Sequence, residues 1–130
     1  MARQHYETLQ EVFDDAYRGL AAQGFVQSIG DARGFTAICA YRGRGGRKCA
    51  IGQCIPDDQY FAELEGSSPA TPALAQGKFF DKLFGRISKD KLVDLQSHHD
   101  SWPCPEDMRN ALENWALVEG LTIPSIKGAA

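Results

Sequence analysis

Two apolar, β-rich runs, Phe35–Arg42 and Arg47–Cys54, flank the glycine-rich tetrapeptide Gly43-Arg-Gly-Gly46. This pattern constrains the fold more than any other stretch, because two such runs around a glycine turn read as an antiparallel hairpin. A four-residue loop sets Arg42 opposite Arg47 and Cys39 opposite Ala50. A loop longer or shorter by one residue moves Cys39 towards Cys49, so the turn alone leaves the register open. Upstream, Phe25–Ile29 reads as a brief strand or an extended lead-in, and Gly30–Gly34 has turn chemistry.

The remaining segments follow helical periodicity. Leu9, Val12, Phe13, Ala16, Tyr17 and Leu20 recur at the spacing of one helix face, with Glu7, Glu11, Asp14, Asp15 and Arg18 on the other. A helix over about 4–23 is expected, closed by Gly24. Asp57 or Asp58 can cap a short helix reaching Leu64. Thr71 and Pro72 look like the cap and first turn of a helix towards Phe84, with Leu74, Phe80, Leu83 and Phe84 on its apolar face. Phe79 falls towards the edge of that face. Ser88 can cap another helix carrying Leu92, Val93, Leu95 and His99. Pro105 can open a last one, with Glu106 and Asp107 in its first turn and Met108, Ala111, Leu112 and Trp115 along its apolar face. Residues 121–130 read as a tail held by Ile123. The expected fold is therefore α+β: a small antiparallel β-hairpin or sheet packed against four to five α-helices. A chain of 130 residues fits a single globular domain over 1–130.

Charge is distributed unevenly. Arg33, Arg42, Arg44, Arg47 and Lys48 put five positive charges and no acid into residues 33–48. Since the whole chain carries −3, the remainder carries −8. A basic tip on an acidic body suits an anionic ligand, a phosphate backbone or an acidic protein surface, and equally a solvated, charge-protected turn. The tip is not a phosphate-binding P-loop, because Lys48 is followed by Cys49 and a strand pattern rather than by Ser or Thr and a helix. The longest uninterrupted apolar stretch, Ala37–Tyr41, is far too short to span a membrane. The N-terminus has no apolar leader core, so a cytoplasmic protein with reduced thiols is expected.

The four cysteines, Cys39, Cys49, Cys54 and Cys104, do not spell a metal site. Cys49 and Cys54 are further apart than a zinc knuckle, and neither Cys104 nor His98 completes a ligand set by spacing. No metal and no cofactor is expected. Cys49 or Cys54 with His98-His99-Asp100 offers the residue types of a nucleophilic triad, but no catalytic signature surrounds those cysteines. Asp57-Asp58 and Glu63 with Glu65 offer paired carboxylates near a helix start. Capping explains Asp57 or Asp58 without chemistry, and Glu65 opens the linker-like stretch 65–72, which suits a surface loop. Trp102, between His98–Ser101 and Pro103-Cys104-Pro105, is either an exposed anchor or a lid on the core.

The motifs Cys39-Ala-Tyr-Arg-Gly43, Gly46-Arg-Lys-Cys-Ala-Ile-Gly52, Ile55-Pro-Asp57 with Tyr60, and Leu95-Gln-Ser-His-His-Asp100 resemble those of a group of short uncharacterised proteins from phages, prophages and bacterial genomes. That group carries a Y-R-G turn, a K-C-A-[IV]-G strand, I-P-D and L-Q-x-x-H-D, and the resemblance covers roughly residues 39–60 and 92–100. It implies a mobile-element setting in a bacterial host and brings no activity with it. The function expected is non-enzymatic: an inhibitor or adaptor acting on a host or defence protein or ribonucleoprotein. Its contact surface includes Arg42, Arg44, Arg47 and Lys48. The alternatives are a binder of a small anionic ligand such as a nucleotide and, behind it, a cysteine-nucleophile enzyme. Lys48, Asp57, His99 and Asp100 form either a structural polar cluster tying the hairpin to the late helices or the functional site itself.

Overall fold

The computed structural model describes residues 3–30, 37, 38, 40–65, 67–70 and 75–126. Arg33, Cys39, Thr71, Pro72 and Leu74 lie outside them. Four α-helices dominate: α1 (Leu9–Ala22), α2 (Ala75–Phe84), α3 (Lys89–Asp100) and α4 (Pro105–Val118). Thr8 caps α1 in a reciprocal capping box with Glu11, which satisfies amides the first turn leaves open. Ser88 caps α3, and Pro105 occupies the first turn of α4.

The α+β expectation, a hairpin or sheet layer packed against helices, is overturned. The only pairing among the described residues joins β1 (Ile29–Gly30) to β2 (Ala37–Ile38), antiparallel, with Ile29 opposite Ile38. Two-residue strands form no layer, and the chain is mostly helical. Ala37 and Ile38 thus pair with the segment upstream of them, and Arg47–Cys54 meets Ala40 through a bond from Cys49 N to Ala40 O (3.2 Å) rather than through a strand ladder among the described residues. Downstream of Arg47 the chain winds into consecutive tight turns: Gln53 N donates to Cys49 O, Cys54 N to Ile51 O and Ile55 N to Gly52 O. Cys49, Ala50, Ile51, Gly52, Cys54 and Ile55 are all buried. A surface strand would bury only alternate residues.

Side-chain amides take the place of a strand ladder here. Gln23, just past α1, accepts from Lys48 N (3.0 Å) and donates to Lys48 O (2.7 Å). Gln96 on α3 accepts from Ile51 N (2.9 Å). Every buried backbone group needs a partner, and three glutamines, Gln23, Gln53 and Gln96, supply several of them. The short helix expected up to Leu64 is instead two separate single turns, Asp57–Gln59 and Ala62–Leu64, neither with a side-chain cap.

The core joins α1, the wound segment and the three later helices. Phe13 stacks on Tyr17 and leans on Trp115, while Phe80 stacks on Phe84. Phe79 packs edge-on against Phe61 and Phe80. Residues 121–126 lie back on α1. Gln10 exchanges hydrogen bonds with Thr122 N and O, and Leu121 and Ile126 pack against the core while Ile123 remains exposed. No helix among the described residues is long and apolar enough to cross a membrane.

Gly52 is where the wound segment presses hardest on its neighbour. A Cβ there would lie 2.6 Å from the carbonyl oxygen of Tyr41 and 2.9 Å from its Cα. Both are backbone atoms and cannot swing aside. G52A is therefore expected to destabilise by about 3 kcal/mol, read as a lower midpoint in urea unfolding with native-like circular dichroism before the transition.

Candidate functional site: the basic loop and its frame

The tip of the molecule is the loop from Gly43 to Arg47. Gly43 N donates to Arg47 O (2.8 Å), and Arg47 N reaches back to Arg44 O. Gly45 and Gly46 turn the chain with φ of +67° and +75°, values that cost a side chain little only in glycine. Ser28 Oγ donates to Arg47 O at 3.2 Å, pinning the loop from beneath. Arg44 and Arg47 are exposed.

Arg42 behaves differently. It was expected at the exposed tip, but its guanidinium turns inward. It donates to the carbonyls of Tyr41 (3.0 Å), Gly52 (3.0 Å) and Ile55 (2.8 Å) and to Asp57 Oδ1 (2.8 Å). Its plane lies 4.9 Å from the centre of the Tyr60 ring. Five donors in a rigid fork allow one side chain to gather this many acceptors. The amides of Tyr41 and Arg42 meanwhile both donate to the Glu65 carboxylate, which also accepts from Tyr60 OH (2.6 Å). Sequence reading assigned Glu65 to a solvated loop. Nothing local to it signals that two consecutive amides will converge on its carboxylate.

Lys48 and Asp57 do meet, with Nζ 3.1 Å from Oδ1. The hydrogen bond to Lys48 and the charges of Lys48 and Arg42 hold the Asp57 carboxyl below its ordinary range. Its side chain is nonetheless 78% exposed, so this pair is a surface clasp worth little by itself.

His99 and Asp100 belong to a second, separate cluster. His99 is fully buried. Its Nε2 accepts from Ser28 N at 2.9 Å, so the ring proton sits on Nδ1 and is donated to Asp100 Oδ1 at 2.8 Å. Asp100 also accepts from Gln96 Nε2 (2.8 Å), which orients the carboxamide that receives Ile51 N. Gln27 Nε2 closes the arrangement on the carbonyls of Asp100 (2.9 Å) and His99 (3.3 Å). The four residues expected as one cluster are therefore two: Lys48 with Asp57 at the loop base, and His99 with Asp100 beneath Ser28.

The motif residues thus bind one another. Arg42 of Y-R-G reaches Gly52 of K-C-A-I-G and Ile55 and Asp57 of I-P-D. Gln96 of L-Q-x-x-H-D reaches Ile51.

The thiols are equally committed. Cys49 and Cys54 are buried and Cys104 is exposed. Cys54 Sγ points to Val12 O at 3.6 Å, and Cys49 Sγ receives Gly52 N at 3.4 Å. His99 has both ring nitrogens engaged elsewhere. Burial pushes the Cys54 thiol up to about 12. Burial, helped by the bond to Glu113, takes Tyr17 to about 12. Burial also raises Tyr6 and Tyr60. No trio of His, Cys, Asp or Glu among the described residues is arranged to hold a metal ion.

These shifts have a sign. An unfolded thiol ionises near 9 and an unfolded tyrosine near 10, so above those values the unfolded chain loses protons that the folded chain keeps. Stability present below about pH 9 should fall as pH rises towards 12. The urea midpoint is expected to drop steadily across that window, less steeply in C54A. A flat profile would contradict the burial of these groups.

A shallow groove of about 360 Å³ runs beside the loop base, lined by Asp15, Gly19, Lys48, Gln53, Asp57 and Asp58 among others. It offers an anion one ammonium, already paired, against three carboxylates. Asp15 at one wall is buried and held by Tyr6 OH (2.7 Å) and Arg3 Nε (3.2 Å).

Compared with protein-family models, curated proteins and solved structures, the chain matches none.

Proposed function

We propose that the protein is a non-enzymatic binding protein, an inhibitor or adaptor of phage or mobile-element type. It would act in the cytoplasm of a bacterial host and grip an acidic surface of a host protein or ribonucleoprotein through Arg44 and Arg47. The observation that carries this reading is a contrast within one short loop. Arg42 holds the frame from inside, while Arg44 and Arg47 stand exposed on a backbone pinned by Ser28 and by the Gly43–Arg47 bond. Side chains presented on a fixed backbone lose less entropy on association, and positive charge on an acidic body steers complementary partners. The commitment of Cys49, Cys54 and His99 to packing and backbone bonds supports binding over nucleophilic catalysis. The small-anion alternative draws no support from the groove, whose charged lining is three carboxylates against one paired ammonium.

The test is quantitative affinity capture from a lysate of the bacterial host with the wild-type chain, R44E/R47E, and K78E/R86E as a charge-matched control at exposed positions elsewhere. The specifically captured species is expected to fall at least about tenfold with R44E/R47E, at an unchanged melting temperature, and to persist with the control. Equal capture by R44E/R47E and wild type would reject the loop as the contact.

A further inference from the structure

We infer that the contact surface continues from the basic loop onto Trp102 and that it fits a protein segment combining carboxylates with an apolar side chain. This inference rests on the reading of Arg44 and Arg47 as a contact. Trp102 is 40% exposed, more than any other Phe, Tyr or Trp among the described residues. Its counterpart Trp115 is buried, with its indole N–H donated to Asp94 Oδ2 at 2.7 Å. Trp102 lies two residues past the end of α3 and precedes Pro103, and a residue before proline has a restricted, extended backbone. A large apolar ring thus keeps part of its surface in water on a stiff stretch of chain.

Its place relative to the loop follows from one shared anchor. Ser28 bonds Arg47 O on one side and His99 on the other, while its neighbour Gln27 bonds the carbonyls of His99 and Asp100. The basic loop is therefore fastened to Ser28, and the end of α3 to Ser28 and its neighbour Gln27, with Trp102 two positions beyond Asp100. Arginine and tryptophan are the residue types that dominate binding energy at protein interfaces.

Charge then selects the class of partner. Beyond Trp102, Glu106 and Asp107 stand exposed in the first turn of α4. A nucleic-acid strand stacked on Trp102 would bring its phosphates against these carboxylates. A protein segment can place an acid over Arg44 and Arg47, set an apolar group on Trp102 and keep acids away from Glu106.

The experiment is a titration of the ¹⁵N-labelled full chain followed by NMR, with two probes: a short peptide alternating glutamate and leucine, and a mixed-sequence single-stranded oligonucleotide. The Trp102 and Trp115 indole resonances report separately, the second as a buried control. The peptide is expected to move the Trp102 indole and the Arg44–Arg47 amides together, to bind more tightly than the oligonucleotide, and to bind W102A about tenfold more weakly. Peptide shifts confined to the loop, with W102A binding as well as wild type, would overturn the extension and leave the loop reading standing. Tighter binding of the oligonucleotide, with both regions moving, would overturn the protein partner. Loop amides that respond to neither probe would overturn the inference together with the reading beneath it.

Discussion

R42M is expected to lower the unfolding free energy by about 4 kcal/mol, the largest effect of any surface-proximal substitution in this chain. Methionine preserves the length and apolar stem of the side chain but leaves the carbonyls of Tyr41, Gly52 and Ile55 without the donors they now share. It also removes a cation from the Tyr60 ring and from Asp57. A hydrogen bond to a charged group contributes about 1.5–3 kcal/mol, and an unsatisfied buried acceptor about 1–3 kcal/mol. Partial exposure and water replacing the Asp57 contact bring the sum down to the stated figure. R42K should rescue less than half of the loss, because a point ammonium cannot reach divergent acceptors as a planar fork does. Urea unfolding of the three proteins decides it. An R42M midpoint within experimental error of wild type would mean that the inward guanidinium contributes nothing net to folding.

H99L should cost about 3 kcal/mol by a different route. The imidazole is the acceptor for the buried amide of Ser28 and the donor to Asp100. Leucine fills much of the same volume and satisfies neither group. Stranding a buried amide and a partly buried carboxylate carries the desolvation cost of both. Because Ser28 also holds Arg47 O, the loop should loosen with it. Faster amide hydrogen exchange at residues 43–47 is expected in H99L and not in a core variant of equal destabilisation, such as L92A. Equal exchange in the two variants would separate His99 from the loop.

Both predictions concern residues that the motif resemblance singled out, and the structure places them in mutual contact rather than around an open site. The bonds from Arg42 to the Gly52 and Ile55 carbonyls, and from Gln96 to the Ile51 amide, tie these segments of the chain together, because each member completes another's hydrogen bonding. Arg44 is the position between the Y-R-G and K-C-A-I-G elements that faces outward with its neighbour Arg47. The separation of frame from contact is visible only with both in place.

Local chemistry was enough for the helices. The periodic spacing from Leu9 to Leu20, Ser88 at the start of α3 and Pro105 at the start of α4 act within a few residues of themselves, whereas the Thr8–Glu11 box, which starts α1 at Leu9 rather than near residue 4, emerges with the structure. Hydrogen bonds within a helix close over four residues, so the sequence nearby carries most of what is needed. The exposure of Arg44 and Arg47 was legible from the glycine turn, but the same argument set Arg42 in solvent beside them, and there it fails. What the sequence by itself determined, then, is the existence of the four α-helices and the two outward arginines of the tip, but neither the start of α1 at Leu9 nor the two single turns that stand where a helix up to Leu64 is expected.

Tertiary structure alone decided the fate of Arg47–Cys54, the inward turn of Arg42 and the splitting of the polar cluster in two. Apolar and small residues in that segment suit a buried strand and a buried chain of turns equally well, and periodicity does not separate the two. The choice fell to partners far away in sequence: Gln23 for Lys48, Gln96 for Ile51, the Tyr41 backbone against Gly52 and Glu65 beneath two amides. A backbone amide is satisfied as well by a side-chain carboxamide from a distant helix as by a neighbouring strand. Only the packed arrangement brings one of them within reach.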